Sequence, residues 1–192
     1  KTHCKILLFV RREEDGLRRY VHVGTGNYND STARQYTDMG MFTCRESYGA
    51  DASSLFNVLT GYSRPPHYNR LVAAPEGMRA FFYRMIDDEI QNAAHGLPCG
   101  IFAKVNSLVD PGIIARLYEA SQAGVPVTLV VRGICCLQPG QPEISTNIRV
   151  FSIVGQLLEH SRIFRFENGG NQKLYLGSAD WMQRNLDRRV EL

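Results

Sequence analysis

Two histidines in this chain are each followed, two residues on, by a strongly basic side chain: His3-Cys4-Lys5 and His160-Ser161-Arg162. Imidazole can attack phosphorus or pass a proton to a leaving oxygen. On an extended strand, residues two apart point to the same face, so Lys5 and Arg162 would each set a positive charge beside an imidazole. Each pair stands at the head of an apolar stretch, KILLFV (5–10) and IFRF (163–166). A polar turn follows each stretch, and after it a small-residue motif: Gly24-Thr25-Gly26-Asn27-Tyr28 in one case, Gly177-Ser178-Ala179-Asp180-Trp181 in the other. Small residues and a hydroxyl at such a turn let backbone N–H groups approach an oxyanion. Taken alone, a His beside a Lys is more often a solvated strand end. The recurrence of the whole constellation in one order argues instead for a duplicated unit. Two such units would bring two histidines and two cations to one pocket, one imidazole as nucleophile and the other assisting charge or proton movement.

The elements that must position these groups differ between the two halves. Residues 5–10 and 20–23 read as strands joined by the charged turn RREEDGLRR. An irregular segment and another strand are expected over STARQYTDMGMFTC, then a helix over GADASSLFNVLTGYS with Asp51 or Ser53 near its start. The paired prolines in SRPPHYNR (63–70) mark the best boundary. Beyond it, PEGMRAFFYRMIDDEIQNAAHG has apolar residues at helical spacing, with Pro75 suited to the first turn and a glycine stop. The strand GIFAKVNSL precedes a helix over DPGIIARLYEASQAG, with Asp110 as N-cap, Pro111 at the first position and Gly124 as terminator. PVTLVVRG then reads as a strand buried on both faces. Strand, helix, strand implies a right-handed parallel crossover, and hence an α/β fold.

At 192 residues, 44% hydrophobic and 21% charged, the chain fits one large globular domain or two small ones. No apolar run approaches the roughly 20 residues that span a bilayer. The net charge of +3 is too small to imply nucleic acid. The arginine pairs at 11–12, 18–19 and 188–189 are the local cationic clusters. Five cysteines without a C-x-x-C pair argue against a disulfide framework or a structural zinc site, and Cys135 and Cys136 read as buried thiols. GTGNYN lacks the final glycine of a dinucleotide loop, and no G-x-x-x-x-G-K-[ST] loop occurs. Lys104 and Asn106 share a strand face and could either meet phosphate or be satisfied strand-end groups. His22, His67 and His95 fall in no motif.

The two H-x-basic units resemble the phospholipase D-like superfamily. The segments KTHCKILLFVRRE, YVHVGTGNYND, TARQYTDMG, AKVNSLVDP, LVVRGICCLQPG and LLEHSRIFRFENGG, with YLGSADWMQRNLDRRVE, are more closely similar to the C-terminal catalytic region of the bacterial polyphosphate kinases. That resemblance spans nearly the whole chain. It implies phospholipase D-like duplicated units, with mixed or mainly parallel sheets flanked by helices. It also implies reversible transfer of the ATP terminal phosphate to a polyphosphate chain through a phosphohistidine. His3 takes the role of phosphoryl acceptor, with His160 as its catalytic partner. Tyr36, Arg132 and His160 are the implied ATP contacts. By geometry, Lys5, Arg162, Lys104 and Asn106 are candidate phosphate contacts.

The same resemblance makes Mg2+ the expected cofactor, held by residues upstream of this chain and by none within it. The partners are ATP or ADP and polyphosphate, with no nucleic acid. The full-length enzyme is expected to be a homo-oligomer in the cytoplasm, with membrane association left open. Residues 1–70 would close the first catalytic unit and residues 71–192 form most of the second, incomplete at its C-terminus. An internal fragment of this kind is expected to be inactive alone. One departure bears on the alternatives: the phospholipase pattern has Asp five residues after the Lys, where Val10 stands here. A phospholipase D-like phosphodiesterase and an inactive anion-binding fragment are the competing readings.

Overall fold

The computed structural model describes residues 1–63 and 67–192. Pro65 and Pro66, on which the expected linker rests, lie outside the described residues. The N-terminal part begins with a hairpin, β1 (Lys5–Glu13) and β2 (Gly16–Gly24), followed by α1 (Asp30–Ala33), β3 (Tyr36–Thr37), β4 (Gly40–Thr43) and α2 (Glu46–Leu59). The C-terminal part holds α3 (Met78–Ala94), β5 (Ile101–Val105), α4 (Pro111–Gln122), β6 (Val127–Val131), β7 (Ile148–Phe151) and β8 (Leu158–Glu159). After these come β9 (Arg162–Phe166), β10 (Lys173–Gly177) and α5 (Gln183–Asp187).

Among the described residues the strands form three sheets. One is antiparallel, in the order β1-β2-β4. A second runs β10-β9-β5-β6-β7, parallel from β5 to β7 and antiparallel across β9 and β10. The third is the parallel pair β3-β8, which joins the two parts. The protein is therefore mixed α/β, as the strand–helix–strand pattern implies. In the five-stranded sheet, Ile101, Ala103, Val105, Val127, Leu129 and Phe164 are all buried and alternate with less buried neighbours. Their shared face packs in one core with Phe82 and Ile86 of α3 and Leu117 of α4. β6 is thus fully buried on one face only, not on both as its β-branched run suggests; Thr128 and Val130 on the other face are half-buried.

Local signals in the C-terminal part act as physical chemistry requires. Asp110 accepts from the Ile113 N–H at 3.0 Å, Pro111 opens α4, and Gly124 closes it at φ +88°. Four further expectations need correction. The charged stretch 11–19 is mostly strand: β1 and β2 pair to Glu13 and Gly16, leaving only Glu14 and Asp15 as the turn. Long charged side chains stay solvated on a two-stranded ribbon while their backbones pair, so charge does not end the ladder. Second, α2 starts at Glu46, which places Asp51 inside the helix. There its carboxylate accepts backbone N–H groups of Asn69, Arg70 and Leu71 at 3.0, 2.6 and 3.0 Å. Third, Pro75 precedes α3, because Ala73 O takes the N–H groups of Gly77 and Met78 in a turn before the helix. Finally, Cys135 and Cys136 are exposed free thiols, and Leu137 is the buried residue of that loop.

Candidate active site

The hairpins β1–β2 and β9–β10 present their chemistry in the same register. Lys5 is the first residue of β1 and pairs with Gly24; Arg162 is the first residue of β9 and pairs with Gly177. Each histidine lies two residues earlier, on a segment that pairs in parallel with the other part of the molecule. Thr2 bridges Val190, and His3 N donates to Val190 O at 2.9 Å. Correspondingly, Glu159 pairs with Thr37, and His160 N donates to Thr37 O at 3.1 Å. One residue further on, each pairing sets an imidazole against a carboxylate.

Those contacts cross between the parts. His3 Nδ1 lies 2.8 Å from Glu191 Oε2, and His160 Nδ1 lies 2.7 Å from Asp38 Oδ1. The far nitrogens face the cations: Lys5 Nζ is 3.1 Å from His3 Nε2, and Arg162 Nη1 is 3.0 Å from His160 Nε2. Because an arginine can only donate, His160 Nε2 accepts and its proton sits on Nδ1, toward Asp38. The matching surroundings give His3 the same tautomer.

The hydroxyls of the two small-residue motifs serve the carboxylates. Thr25 Oγ1 donates to Asp38 Oδ1 at 2.7 Å, and Ser178 Oγ donates to Glu191 Oε2 at 2.5 Å. The residue after each carboxylate completes the motif: Met39 N donates to Thr25 Oγ1, and Leu192 N to Ser178 Oγ. These hydroxyls are anchors for the imidazole partners, not open anion donors as the turn motif suggests. Small residues matter here for a second reason. A Cβ on Gly26 would stand 2.7 Å from the Asp38 carboxyl.

Charge converges on this centre. Lys5, His160 and Arg162 are all buried, and His3 is partly exposed. Burial, and then the Arg162 charge, push the His160 imidazole below its ordinary 6.5, against the pull of Asp38. Burial and Arg162 also lower the Lys5 ammonium, which Glu191 and Asp38 oppose. Lys5 thus feels charged groups of both units. Cys4 is held as a thiol, pushed up to about 11 by burial and Glu191, and does not compete as a nucleophile.

Beside His160 opens a cleft of about 690 Å³ walled by Arg34, Gln35, Tyr36, Arg132, Gln156 and Glu159. The Tyr36 ring sits 4.9 Å from the His160 ring. Arg132 follows β6 directly and donates from Nε to Asn106 Oδ1 at 2.6 Å. Among the described residues its terminal nitrogens make no hydrogen bond. A separate apolar cavity of about 260 Å³, lined by Met41, Leu71, Phe81, Phe82 and Tyr175, also reaches Lys5 but contains no imidazole.

Of the sequence candidates, His3, Lys5, His160 and Arg162 form the centre, and Tyr36 and Arg132 line the adjoining cleft. Lys104 and Asn106 are buried strand-end groups with protein partners. Lys104 Nζ bonds Ser161 Oγ at 2.7 Å and Glu159 Oε2 at 3.2 Å. His22 lies elsewhere, bonded to Tyr28 and stacked near Phe42. Sequence reasoning missed Asp38, Glu191 and the bracing role of Asp180, which pairs with Arg162 at 3.2 Å. A signal did exist: each carboxylate stands thirteen residues after its hydroxyl, Thr25 or Ser178.

These residues do not fit a magnesium site. Asp38, Glu191 and Asp180 already receive imidazole, hydroxyl or guanidinium donors. Among the described residues no group of three or more His, Cys, Asp or Glu could hold a metal ion. No helix of the described residues is long and apolar enough to cross a membrane.

Comparison with known proteins gives concordant matches. Residues 1–65 match the family model of polyphosphate kinase C-terminal domain 1, and residues 71–192 that of polyphosphate kinase C-terminal domain 2. The whole chain is 57% identical to a polyphosphate kinase of Lactiplantibacillus plantarum and 58% identical to one of Synechocystis, covering 27% and 26% of their lengths. The crystal structure of polyphosphate kinase from Porphyromonas gingivalis superposes with a TM-score of 0.92 at 40% identity, covering all of this chain and 30% of that one. The chain spans about a quarter of the length of the curated relatives it matches.

Proposed function

This chain belongs to the polyphosphate kinase family, and from that premise we propose that it carries the phosphoryl-transfer centre of such an enzyme. ATP is the donor, His3 the covalent carrier and the terminal phosphate of polyphosphate the acceptor. The observation that carries this reading is the state of His3: Nδ1 on the buried Glu191 carboxylate, and Nε2 beside Lys5.

In the first step the Nε2 lone pair attacks the γ-phosphorus, and the bond from that phosphorus to the bridging oxygen breaks. ADP leaves with the electron pair. The imidazole gains positive charge as the N–P bond forms, and Glu191 stabilises it through the Nδ1 proton. Lys5 moves from Nε2 to the phosphoryl oxygens, where its charge offsets that of the transition state. In the second step a terminal oxygen of polyphosphate attacks the phosphohistidine, the N–P bond breaks, and the chain is longer by one unit. Each step runs in reverse when ADP accepts.

The two imidazoles differ in a way that supports this division of labour. Lys5 is a flexible ammonium able to follow a moving phosphate, whereas Arg162 is a planar guanidinium fixed by Asp180 and by the His160 carbonyl. His160 therefore stays neutral and in place, packed against the Tyr36 ring that walls the nucleotide cleft. Arg132 supplies the cationic fork for the nucleotide phosphates. Magnesium would accompany the nucleotide on residues outside this chain. ATP as donor makes the cytoplasm the proposed setting, and a homo-oligomeric full-length enzyme belongs to the same reading.

The test is single-turnover labelling of the full-length enzyme with ATP carrying a labelled γ-phosphate. The wild type should yield an acid-labile, base-stable phosphoenzyme, and His3→Ala should yield none. Normal labelling of the His3 variant would overturn the assignment.

A further inference from the structure

Asn106 stands one residue beyond β5, is 6% exposed, and has every polar group engaged in the site. Its backbone O accepts from Gly133 N at 2.8 Å, and its backbone N donates to Asp180 Oδ1 at 2.7 Å. The side-chain carbonyl takes Arg132 Nε at 2.6 Å, while Nδ2 reaches toward Asp180 Oδ2 at 3.5 Å. Asp180 in turn receives Arg162 Nε and Nη2 at 3.3 and 3.2 Å, and Arg162 Nη1 donates to His160 Nε2. The loop carrying Arg132 approaches closely because position 133 has no side chain; a Cβ there would lie 2.7 Å from Asn106 O. One amide thus faces a cation with its acceptor and a carboxylate with its donor.

We propose that Asn106 is a positioning residue: it fixes the Arg132 guanidinium in the cleft and ties it, through Asp180 and Arg162, to His160. The proposal rests on the nucleotide reading of that cleft. With Nε held, Arg132 presents Nη1 and Nη2 as its free fork, the edge suited to two phosphate oxygens. Without the Asn106 carbonyl, the side chain regains rotamer freedom that nucleotide binding must then remove. Asn106 acts on the nucleotide through Arg132: its carbonyl is taken by Nε, and its amide is turned toward Asp180.

The experiment compares Asn106→Ala, Asn106→Asp, Arg132→Ala and the Asn106→Ala/Arg132→Ala double variant in the full-length enzyme, by nucleotide KM and kcat. Asn106→Ala keeps both backbone bonds. It should raise the nucleotide KM about tenfold, as loss of a charge-assisted hydrogen bond implies. Its kcat at saturating nucleotide should stay within about threefold of wild type, a split that general loss of structure would not produce. Asn106→Asp retains an acceptor for Nε but turns a carboxylate oxygen toward Asp180 in place of the amide donor, so it should recover only part of the affinity lost in Asn106→Ala. The double variant should bind no more weakly than Arg132→Ala, since both changes remove one interaction. An unchanged KM in Asn106→Ala beside an impaired Arg132→Ala would overturn the proposal alone, as would Asn106→Asp binding no better than Asn106→Ala. An unchanged KM in Arg132→Ala would overturn the nucleotide reading of the cleft, and this proposal with it.

Discussion

The same imidazole chemistry is written twice in this chain, with different cations. Lys5 beside His3 can exchange partners as charge moves; Arg162 beside His160 has its nitrogens divided among Asp180, His160 O and His160 Nε2. Burial, and then this fixed cation, keep His160 below its ordinary 6.5. The sign of the stability effect follows. On acidification the unfolded chain takes up the proton first, so the contribution of neutral His160 is complete above about pH 6.5 and lost as pH falls through the folded value. His160→Gln removes the titration while keeping a polar side chain of similar reach. Denaturant titrations at pH 7.5 and pH 5 should therefore show a smaller acid loss for His160→Gln than for wild type. Equal losses would mean that His160 is not held neutral by its surroundings.

Among the elements, the two hairpins carry most of the positional information. Lys5 opposite Gly24 and Arg162 opposite Gly177 put each small-residue turn directly under a basic side chain. These features were legible in sequence because they are local: the H-x-basic pairs, the apolar strands and the Gly-Thr and Gly-Ser turns all lie within short spans. The helix caps around Asp110 and Pro111 were legible for the same reason. The carboxylates were not, since Glu191 and Asp38 reach their histidines across 188 and 122 residues of chain. Nor could Lys104 and Asn106 be assigned, because a basic or amide group at a strand end looks alike whether it meets ligand or protein. The turn geometry makes its own prediction. Gly26→Ala would drive a methyl group against the Asp38 carboxyl, whose position is set by Thr25 and His160. Overpacking of this kind costs roughly 1–3 kcal/mol. Gly26→Ala should lower the thermal midpoint and reduce turnover, whereas Gly77→Ala, at an exposed position where a Cβ meets nothing nearer than Ala73 O at 3.6 Å, should leave turnover unchanged. Normal turnover in Gly26→Ala would show that Asp38 has room the structure does not give it.

At the scale of the whole molecule, neither part completes its own histidine. His3 comes from the N-terminal part and its carboxylate from the C-terminal end; His160 comes from the C-terminal part and its carboxylate from the loop after β3. The candidate centre is therefore built by the parallel pairings that join the parts, Thr2 with Val190 and Thr37 with Glu159. Glu191→Gln, far in sequence from His3, should slow phosphoenzyme formation by roughly 10²-fold or more, by analogy with the orienting carboxylate of a catalytic triad. Asp38→Asn should impair turnover while sparing the chemical identity of the phosphorylated residue. A Glu191→Gln enzyme labelled at the wild-type rate would separate the two histidine units and remove the reason for their crossing. The most direct measurement of the central claim is the position of phosphate on the His3 ring, read by nuclear magnetic resonance of the phosphoenzyme with nitrogen-15 in its histidines. With Nδ1 held by Glu191, phosphorus should couple to Nε2 of His3; coupling to Nδ1, or to a nitrogen of His160, would contradict the account.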